Sequence, residues 1–524
     1  MKWGYLILKS LIVVLGGVTS GVGKGIVCAS IGNLLIENGI KTTVIKYDGL
    51  MNYSFEQMNP YHVIPEVRWS DEEVTVLADG GVVDSDLGVY ERFTGLELPS
   101  ANNIVNGQCL KELISYQDGK RWRAGEVISV FPHLIDVYKE KLFAAIADND
   151  VAILEVGGTV GDFESEFFLR MVSNLSAEMN LFVVQLSYLS FMGNDAGAKN
   201  DVINQDVILK PIKQSFHTAC SFCLKPDALL IRSEKNVGGG IKSRISKATC
   251  LKEEYIFFDY DVNSIYDVPE MLKKQGLMEL IMSRCELNSD VEVCPSLADY
   301  SRSIVKLAAE AQYRIAIIGD SESWGSYTSL NEALVSLGVR YSKNICFDWF
   351  RSVEEYARLL ENNASYHAFV VTEGIENPED KAALLRNILE YGKPVMCISY
   401  GACILADIIG MSTERTDKLV TGRIDTYLKN SITGAVQDRH RRNFTIPMCR
   451  NEGKSIEIIG CDSQHKEIHL FRPVNFPYCI GAVSQPEYTS RPYSPNLLFS
   501  HLLNLKIEEV LQDSTYESKT NPPC

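Results

Sequence analysis

A glycine-rich segment that ends in lysine follows an apolar run near the start of the chain. The apolar run covers residues 11–15, and residues 16–25 read GGVTSGVGKG. Backbone N–H groups can surround a phosphate only where side chains leave room, and a lysine at the mouth of the next helix adds positive charge there. The candidates for binding the phosphates of a nucleoside triphosphate are Ser20, Gly21, Val22, Gly23, Lys24 and Gly25.

This segment departs from the usual phosphate-loop pattern at two positions. Val18 stands where the first glycine belongs, and Gly25 replaces the serine or threonine that normally holds magnesium. A magnesium ion must therefore be held by other residues. The alternative interpretation is a glycine-rich turn with no ligand at all.

Alternating strand and helix patterns surround this segment and predict an α/β fold. A helix is predicted at residues 26–37, with strands at 11–15, 42–46, 151–156, 183–186, 228–231 and 255–258. Such alternation predicts a parallel sheet that binds its ligand at the carboxyl ends of the strands. The second half repeats the pattern, with strands at 313–319, 368–372 and 395–399 and a helix after Gly401.

The length of 524 residues predicts two large domains. We place a nucleotide domain at residues 1–285, a linker at 286–312, a second α/β domain at 313–506 and a disordered polar tail at 507–524. The net charge of −16 argues against nucleic-acid binding, and no apolar stretch reaches the ~20 residues of a membrane helix. Fourteen cysteines without a secretory context predict reduced thiols in the cytoplasm.

Three blocks in order carry a resemblance to a known family. They are residues 16–25, residues 84–93 (DSDLGVYERF) and residues 155–165 (EVGGTVGDFES), supported by 262–266 and 275–277. With the second α/β half, this chain resembles CTP synthase over nearly its whole length. The resemblance implies an amidoligase domain that phosphorylates the uracil oxygen of UTP with ATP and Mg²⁺ and displaces that phosphate with ammonia. It also implies a class I glutaminase domain that supplies the ammonia.

The resemblance also implies roles for particular residues in the first domain. Lys24 would contact the ATP phosphates, and Lys46 would neutralise charge on the transferring phosphoryl group. Asp86 and Glu155 match the magnesium carboxylates, Asp86 also contacting ATP, and carboxylate oxygens are ligands that Mg²⁺ prefers. The alternative is that Asp86 caps a turn and Glu155 ends a strand. The positions implied for UTP or CTP are Ser20, Asp162, Phe163, Glu164, Lys210, Lys213 and Arg244.

Several segments of the first domain depart from the family pattern. Ile208 replaces the first lysine of the UTP-binding segment, so one triphosphate contact is lost, while Lys210 remains. Arg244 stands at another lysine position and keeps the charge but not the geometry. Residues 61–79 and 121–129 also differ from the family. The sequence therefore supports the prediction of the fold more strongly than the prediction of UTP binding.

The second domain lacks the residues of a working glutaminase. The nucleophile position of the strand-to-helix turn is Ser399, the position of the histidine base is Gln485, and Glu487 remains at the orienting glutamate. Serine needs a base to attack, and glutamine cannot accept the proton. Residues 372–376 read TEGIE where the family has an oxyanion loop, which brings a carboxylate towards developing negative charge.

Other residues of this domain do not restore the missing chemistry on sequence grounds. Cys397 and Cys403 flank Ser399 but face other directions and lack a histidine. His440 belongs to another family motif, and we interpret it as structural or ligand-facing. The domain then serves as a retained scaffold.

Three functional hypotheses follow. The first is an ammonia-using CTP synthase with an inactive glutaminase domain, assembled as a homotetramer or as a mixed oligomer with a paralogue. The second is an inactive paralogue that binds nucleotide and acts as a structural or regulatory partner. The third, a generic phosphate-loop ATPase, accounts for residues 16–25 but not for the second domain.

Overall fold

The computed structural model describes residues 8–505, apart from positions 9, 20, 54, 56–73, 116–126, 147, 192–206, 235, 238, 289–295, 320–327, 373–377, 429–434 and 452. Five of the features considered above lie wholly or largely outside these described residues. They are Ser20, the divergent segments 61–79 and 121–129, the acidic loop 373–376 and the tail 507–524. The chain forms two compact units, one of Met1–Ser54 and Val89–Ser301, the other of Phe55–Gly88 and Arg302–Cys524.

The strands are numbered here in chain order. They are β1 (Ser10–Leu15), β2 (Thr42–Asp48), β3 (Val74–Val76), β4 (Val82–Asp84), β5 (Asn103–Val105), β6 (Val151–Val156), β7 (Leu181–Tyr188), β8 (Ser190–Phe191), β9 (Val207–Ile208), β10 (Ala228–Ser233), β11 (Ile256–Tyr260), β12 (Gln312–Ile318), β13 (Asn344–Phe350), β14 (Ala368–Val371), β15 (Val395–Ile398), β16 (Glu414–Leu428), β17 (Ala435–Thr445), β18 (Ile456–Cys461), β19 (Ile468–Pro473) and β20 (Cys479–Ala482).

The helices are numbered in the same way. They are α1 (Lys24–Glu37), α2 (Asp86–Thr94), α3 (Asn106–Ser115), α4 (Ile135–Ile146), α5 (Phe163–Leu175), α6 (Lys210–Ser221), α7 (Gly239–Thr249), α8 (Val268–Lys274), α9 (Leu277–Arg284), α10 (Leu297–Leu307), α11 (Thr328–Tyr341), α12 (Val353–Glu361), α13 (Pro378–Leu389) and α14 (Tyr400–Ile408). In the part of the chain that the structure describes, none of them is long and apolar enough to cross a membrane.

The first unit is built on a parallel sheet of seven strands. Their order is β11, β10, β7, β1, β6, β2 and β5. Strands β1 and β6 are buried along their whole length, as expected where helices cover both faces of a sheet. The glycine-rich segment leaves β1 at its carboxyl end, beside the end of β6, so these two loops form one edge of the sheet.

The second unit contains a mixed sheet of nine strands. Strands β13, β12, β14, β15 and β20 are parallel, and β19, β18, β16 and β17 continue the sheet with antiparallel pairing. Apolar side chains pack on both faces of the parallel part, with Val371, Val395 and Cys397 on one face and Ile317, Met396 and Ile398 on the other. The long β16–β17 pair extends beyond this core.

A hairpin from the N-terminal half of the chain belongs to this second unit. Strands β3 and β4 pair antiparallel, and the carbonyl of Val76 in β3 accepts a hydrogen bond of 3.0 Å from Arg439 Nη1 in β17. The carbonyl of Val74 accepts another, of 3.3 Å, from the Tyr488 hydroxyl. The two bonds fasten β3 to residues more than 360 positions later in the sequence.

The predicted α/β fold is confirmed, as are the strands and helices predicted around both turns. The predicted strand at 11–15 is β1, and the predicted helix at 26–37 is α1, which begins two residues earlier at Lys24. The helix expected after Gly401 is α14. The sequence reading missed the short edge strand β5, the edge strand β13 and the antiparallel strands β16 to β19.

Candidate functional site

The glycine-rich segment forms a loop that leads directly into a helix. Gly21 and Gly23 adopt positive φ angles of 69° and 88°, which favour glycine, and α1 begins at Lys24. A side chain at Gly21 would meet no atom within 4 Å, so the backbone is open on that side. Free N–H groups in the first turn of a helix, with open backbone before it, are suited to bind phosphate.

The lysine of this loop lies against the loop that follows β6. Lys24 Nζ donates a hydrogen bond of 2.8 Å to the carbonyl of Gly158, and the N–H of Val160 donates one of 3.2 Å to the carbonyl of Gly17. A Cβ at Gly16 would lie 2.7 Å from the Gly158 oxygen, so glycine is required at this approach. The structure therefore brings residues 16–25 and 157–162 together, as the order of the strands requires.

A buried group of charged and polar side chains lies on neighbouring strands at the same edge. Lys46 of β2 is in register with Glu155 of β6 and with Asn103 of β5. Lys46 Nζ lies 3.7 Å from Asp48 Oδ1, and Asn103 Nδ2 donates a hydrogen bond of 2.8 Å to Asp48 Oδ2. All four residues are buried, so the ammonium group acts where water screens it weakly.

The predicted magnesium carboxylates can be compared with this arrangement. Glu155 is 3% exposed and accepts a hydrogen bond from the Tyr90 hydroxyl through Oε2. Asp86 is the first residue of α2, and its N–H donates to the Asp84 carboxylate at 2.8 Å. Carboxylates fit Mg²⁺, which takes oxygen ligands. No group of three or more His, Cys, Asp and Glu side chains placed to hold a metal occurs among the described residues.

The residues predicted to contact the pyrimidine nucleotide fall into two places. Asp162 precedes α5 and accepts a hydrogen bond of 2.7 Å from the N–H of Thr159, while Phe163 and Glu164 are exposed in the first turn. Lys210 and Lys213 are exposed in the first turn of α6, and Arg244 is exposed on α7. Asp162 thus caps its loop, and its role towards nucleotide stays a prediction.

Sequence reasoning missed three polar residues at this edge. Asp48 and Asn103 flank Lys46, and the two-residue spacing of Lys46 and Asp48 on a strand would have placed them on one face. The carboxylate of Asp259 lies close to the phosphate loop, with Oδ2 3.9 Å from the position that a Cβ on Gly23 would occupy. Burial raises the pKa of Asp259 to about 6, although Arg232 lies 3.3 Å away and opposes that rise.

In the second unit, the turn between β15 and α14 has the backbone of a nucleophile turn. Ser399 adopts φ 52° and ψ −115°, a strained conformation for a residue with a side chain, and begins α14 as its N-cap. Its N–H donates a hydrogen bond of 2.8 Å to the carbonyl of Ala482. A Cβ at Gly401 would lie 2.2 Å from the Val371 oxygen, so the turn packs tightly against β14.

The two cysteines near this turn lie in the apolar core. Cys397 and Cys403 are both fully buried within the same hydrophobic cluster. Burial raises the pKa of the Cys403 thiol, which disfavours the thiolate that acts as a nucleophile. Their placement agrees with the expectation that neither cysteine replaces a nucleophile at position 399.

The positions predicted for the base and its orienting carboxylate lie after β20. Gln485 is 1% exposed, and its N–H donates a hydrogen bond of 2.9 Å to the carbonyl of Arg439 in β17. Glu487 is buried in the short 3₁₀ turn that follows. His440 is buried on β17, and burial, with Arg442 and His469 nearby, lowers its pKa to about 4.

Comparisons with known proteins identify the family. The family model described as the CTP synthase N-terminus matches residues 10–287, and the class I glutamine amidotransferase model matches residues 325–505. The CTP synthase of Pyrococcus furiosus is 33% identical over 546 residues, with 95% of this chain and 97% of the relative covered. That of Pyrococcus abyssi is 32% identical over 545 residues, with 95% and 97% covered.

A more distant relative covers as much of the chain. The CTP synthase of Pyrobaculum calidifontis is 28% identical over 552 residues, with 96% of this chain and 99% of the relative covered. The first family model spans more than half of the chain, and the relatives cover nearly all of it. The protein described here belongs to the CTP synthase family.

Proposed function

We propose that this protein aminates UTP to CTP in the cytoplasm with ATP, Mg²⁺ and free ammonia, and that its second domain releases no ammonia from glutamine. In this proposal Lys24 and the start of α1 hold the ATP phosphates. Lys46 stabilises the charge of the phosphoryl group as it passes to the uracil oxygen. Asp86 and Glu155 would hold Mg²⁺, which supplies positive charge between the phosphates.

The geometry of the buried lysine supports the ligase half of the proposal. Lys46, Asp48 and Glu155 lie on adjacent strands where the loops after β1 and β6 end. A buried ammonium ion held by carboxylates keeps its position, so it needs no reorganisation when charge develops on a phosphoryl group. The exposed cations Lys210, Lys213 and Arg244 are available to the UTP phosphates. A homotetramer or a mixed oligomer with a paralogue forms part of this proposal.

The observation that carries the ammonia dependence is Ser399 at the strained turn. The turn keeps the conformation that would present a nucleophile, but it presents a hydroxyl group in place of a thiol. Gln485 stands where a base would act, and an amide cannot take a proton from a hydroxyl group at neutral pH. A turn of this conformation that carries neither a thiol at position 399 nor a base at position 485 supports the proposal that ammonia comes from solution.

CTP formation from UTP, ATP and Mg²⁺ with separate nitrogen donors tests the proposal. We expect product with ammonium chloride and none with glutamine. Glutamate release is measured in parallel, because it reports the glutaminase step alone. Turnover with glutamine comparable to turnover with ammonium would contradict the proposal.

One observation favours the second candidate, an inactive paralogue that binds nucleotide. Ile208, at the position of a lysine in the family pattern, lies in the short strand β9 paired with Ser190 of β8, where it offers no charge to a triphosphate. A folded protein that binds ATP but forms no CTP with either donor would support this candidate. The generic ATPase hypothesis is not retained, because the second domain belongs to the family pattern as well.

A further inference from the structure

Strand β17 in the second unit carries a row of ionisable side chains on one face. Asp438, His440 and Arg442 occupy alternate positions, and alternate residues of a strand point to the same face. Their exposed fractions are 1%, 6% and 8%, so all three are at least nine-tenths buried. Buried polar groups in proteins are almost always hydrogen-bonded, so each of them calls for a partner.

The first residue of the row has its partners. The Asp438 carboxylate accepts hydrogen bonds from the Ser484 hydroxyl at 2.8 Å, the Thr489 hydroxyl at 3.3 Å and the Asn496 amide at 2.5 Å. Its oxygen atoms are therefore hydrogen-bonded inside the protein, although burial raises the pKa of Asp438. Asp438 provides an internal comparison for the two residues that follow it on the same face.

The second and third residues of the row keep unused hydrogen-bonding atoms. Arg442 Nη2 donates a hydrogen bond of 2.8 Å to Glu467 Oε2. Among the described residues, however, Arg442 Nε, Arg442 Nη1 and His440 Nδ1 have no hydrogen-bond partner. Leaving a buried donor unsatisfied costs about 1–3 kcal/mol, and more for a charged group. Three such atoms on one strand face are not satisfied by the described part of the protein itself.

The opposite strand leaves room beside the histidine. Gly422 of β16 is in register with His440, and a Cβ there would lie 3.6 Å from His440 Nε2 with no other described atom within 4 Å. Residues two apart on a strand are separated by roughly 6.6 Å. The missing side chain at Gly422 leaves space on the Nε2 side of the ring, and a ligand that contacts Nδ1 of His440 and Arg442 together has to bridge neighbouring positions on one strand face.

The charges around the row determine which kind of ligand can bind there. Arg442 and Glu467 neutralise each other, and His440 faces Arg442, His469 and Glu467 as its charged or titratable neighbours. Burial together with Arg442 and His469 lowers the pKa of His440 to about 4, so the ring is neutral at pH 7. A single negative charge beside the ring would favour its protonation, whereas a dianion would be repelled by Glu467.

We propose that Arg442 and His440 form a binding site for the carboxylate group of a small organic acid in the second domain. Arg442 donates from the nitrogens that Glu467 does not use, and His440 donates from Nδ1. Binding is accompanied by proton uptake at His440, so affinity increases as the pH falls from 7.5 to about 5.5. The site does not depend on the ligase reaction and is independent of the proposed function.

Acetate binding to the full-length protein, observed by NMR of ¹³C-labelled histidine, tests the site. Acetate replaces chloride at constant ionic strength, and the spectrum of His440→Gln identifies the His440 signal. We expect acetate to shift that signal and to raise the pKa of His440. We also expect Arg442→Gln to weaken binding at least about tenfold, the size of a hydrogen bond to a charged group.

Arg472→Gln is the matched control. Arg472 is a partly buried strand arginine of the second unit, paired with Glu457 at 2.8 Å and, like Arg442, left with an Nε that has no hydrogen-bond partner in the described part of the chain. It is not one of the charged neighbours of His440, so its loss should leave acetate binding unchanged. A His440 signal in the wild-type protein that does not respond to acetate would overturn the proposal, even if Arg442→Gln does not fold. Inorganic phosphate binding as tightly as acetate, or Arg472→Gln weakening acetate equally, would also overturn it.

Discussion

At the scale of single residues, two lysines at the same sheet edge have different surroundings: Lys24 is partly exposed and Lys46 is buried. Lys24 lies in the loop and donates to a backbone carbonyl, whereas Lys46 is held on a strand beside Asp48 and across from Glu155. Lys24 can therefore turn towards phosphate at the cost of one hydrogen bond. The ammonium group of Lys46 is already held in a fixed position before any phosphate binds.

The first prediction concerns Lys24. Lys24→Ala should reduce ammonium-dependent CTP formation by roughly a hundredfold or more, because it removes a charge at the phosphate loop. Lys252→Ala, at an exposed lysine of the same unit with 72% of its side chain accessible, is the control and should be neutral. CTP formation is measured by nucleotide chromatography and folding by circular dichroism. Retention of most activity in Lys24→Ala would remove this residue from the site.

The second prediction concerns pH and His501. The ring of His501 lies 2.9 Å from the carbonyl of Tyr478, and burial lowers its pKa to about 4. An unfolded histidine has a pKa near 6.5, so the unfolded state binds more protons between pH 6.5 and 4. The stabilising contribution of the neutral ring is complete above pH 6.5 and is lost as the pH falls towards 4.

The measurement compares wild type with His501→Gln, which keeps a donor for Tyr478. Between pH 7 and pH 5 the free energy of unfolding of the wild type should fall by about 2 kcal/mol more than that of the variant. Urea denaturation at each pH gives both values. Equal losses in the two proteins would show that His501 does not titrate in this range.

At the scale of elements, the turn before α14 is fixed by packing from β14. Gly401→Ala places a Cβ 2.2 Å from the Val371 carbonyl oxygen, which belongs to backbone and cannot move aside. We expect a loss of about 1–3 kcal/mol in unfolding free energy. Gly240→Ala, in a helix with open space around the glycine, should be neutral or stabilising. Denaturation curves give the unfolding free energies of both variants. Equal values would show that the Val371 carbonyl oxygen does not exclude a side chain at position 401.

The strands whose residues are apolar throughout could be predicted from the sequence. Strands β1 and β6 are fully buried and stand out as continuous apolar runs, and the glycines and lysine after β1 have a spacing that predicts a phosphate loop. Strands β16 and β17 read as polar sequence, because most of their residues are charged or polar and only a few, such as Ile424 and Phe444, join the apolar core. The partners of Glu155 and Asp48 could not be predicted, since Tyr90 and Asn103 reach them from other segments.

At the scale of the whole molecule, the proposed function separates the ligase step from the release of ammonia from glutamine. A fourth prediction tests how far the second half has diverged. Ser399→Cys combined with Gln485→His should still release little glutamate from glutamine, because the sequence has Glu373 where the family has its oxyanion loop, and a carboxylate there would oppose the developing charge. Adding Glu373→Gly should raise the rate above that of the double variant. Ordinary glutaminase activity in the double variant alone would confine the loss to positions 399 and 485.

The β3–β4 hairpin limits how far the chain can be truncated from its C-terminal end. The hairpin is synthesised early, but its hydrogen bonds to Arg439 and Tyr488 form only after the C-terminal half has left the ribosome. A stop codon after residue 301 would leave the carbonyls of Val74 and Val76 without these two donors. A second domain that releases no ammonia, as proposed, would still be needed by the chain, because it holds a hairpin encoded in the N-terminal half.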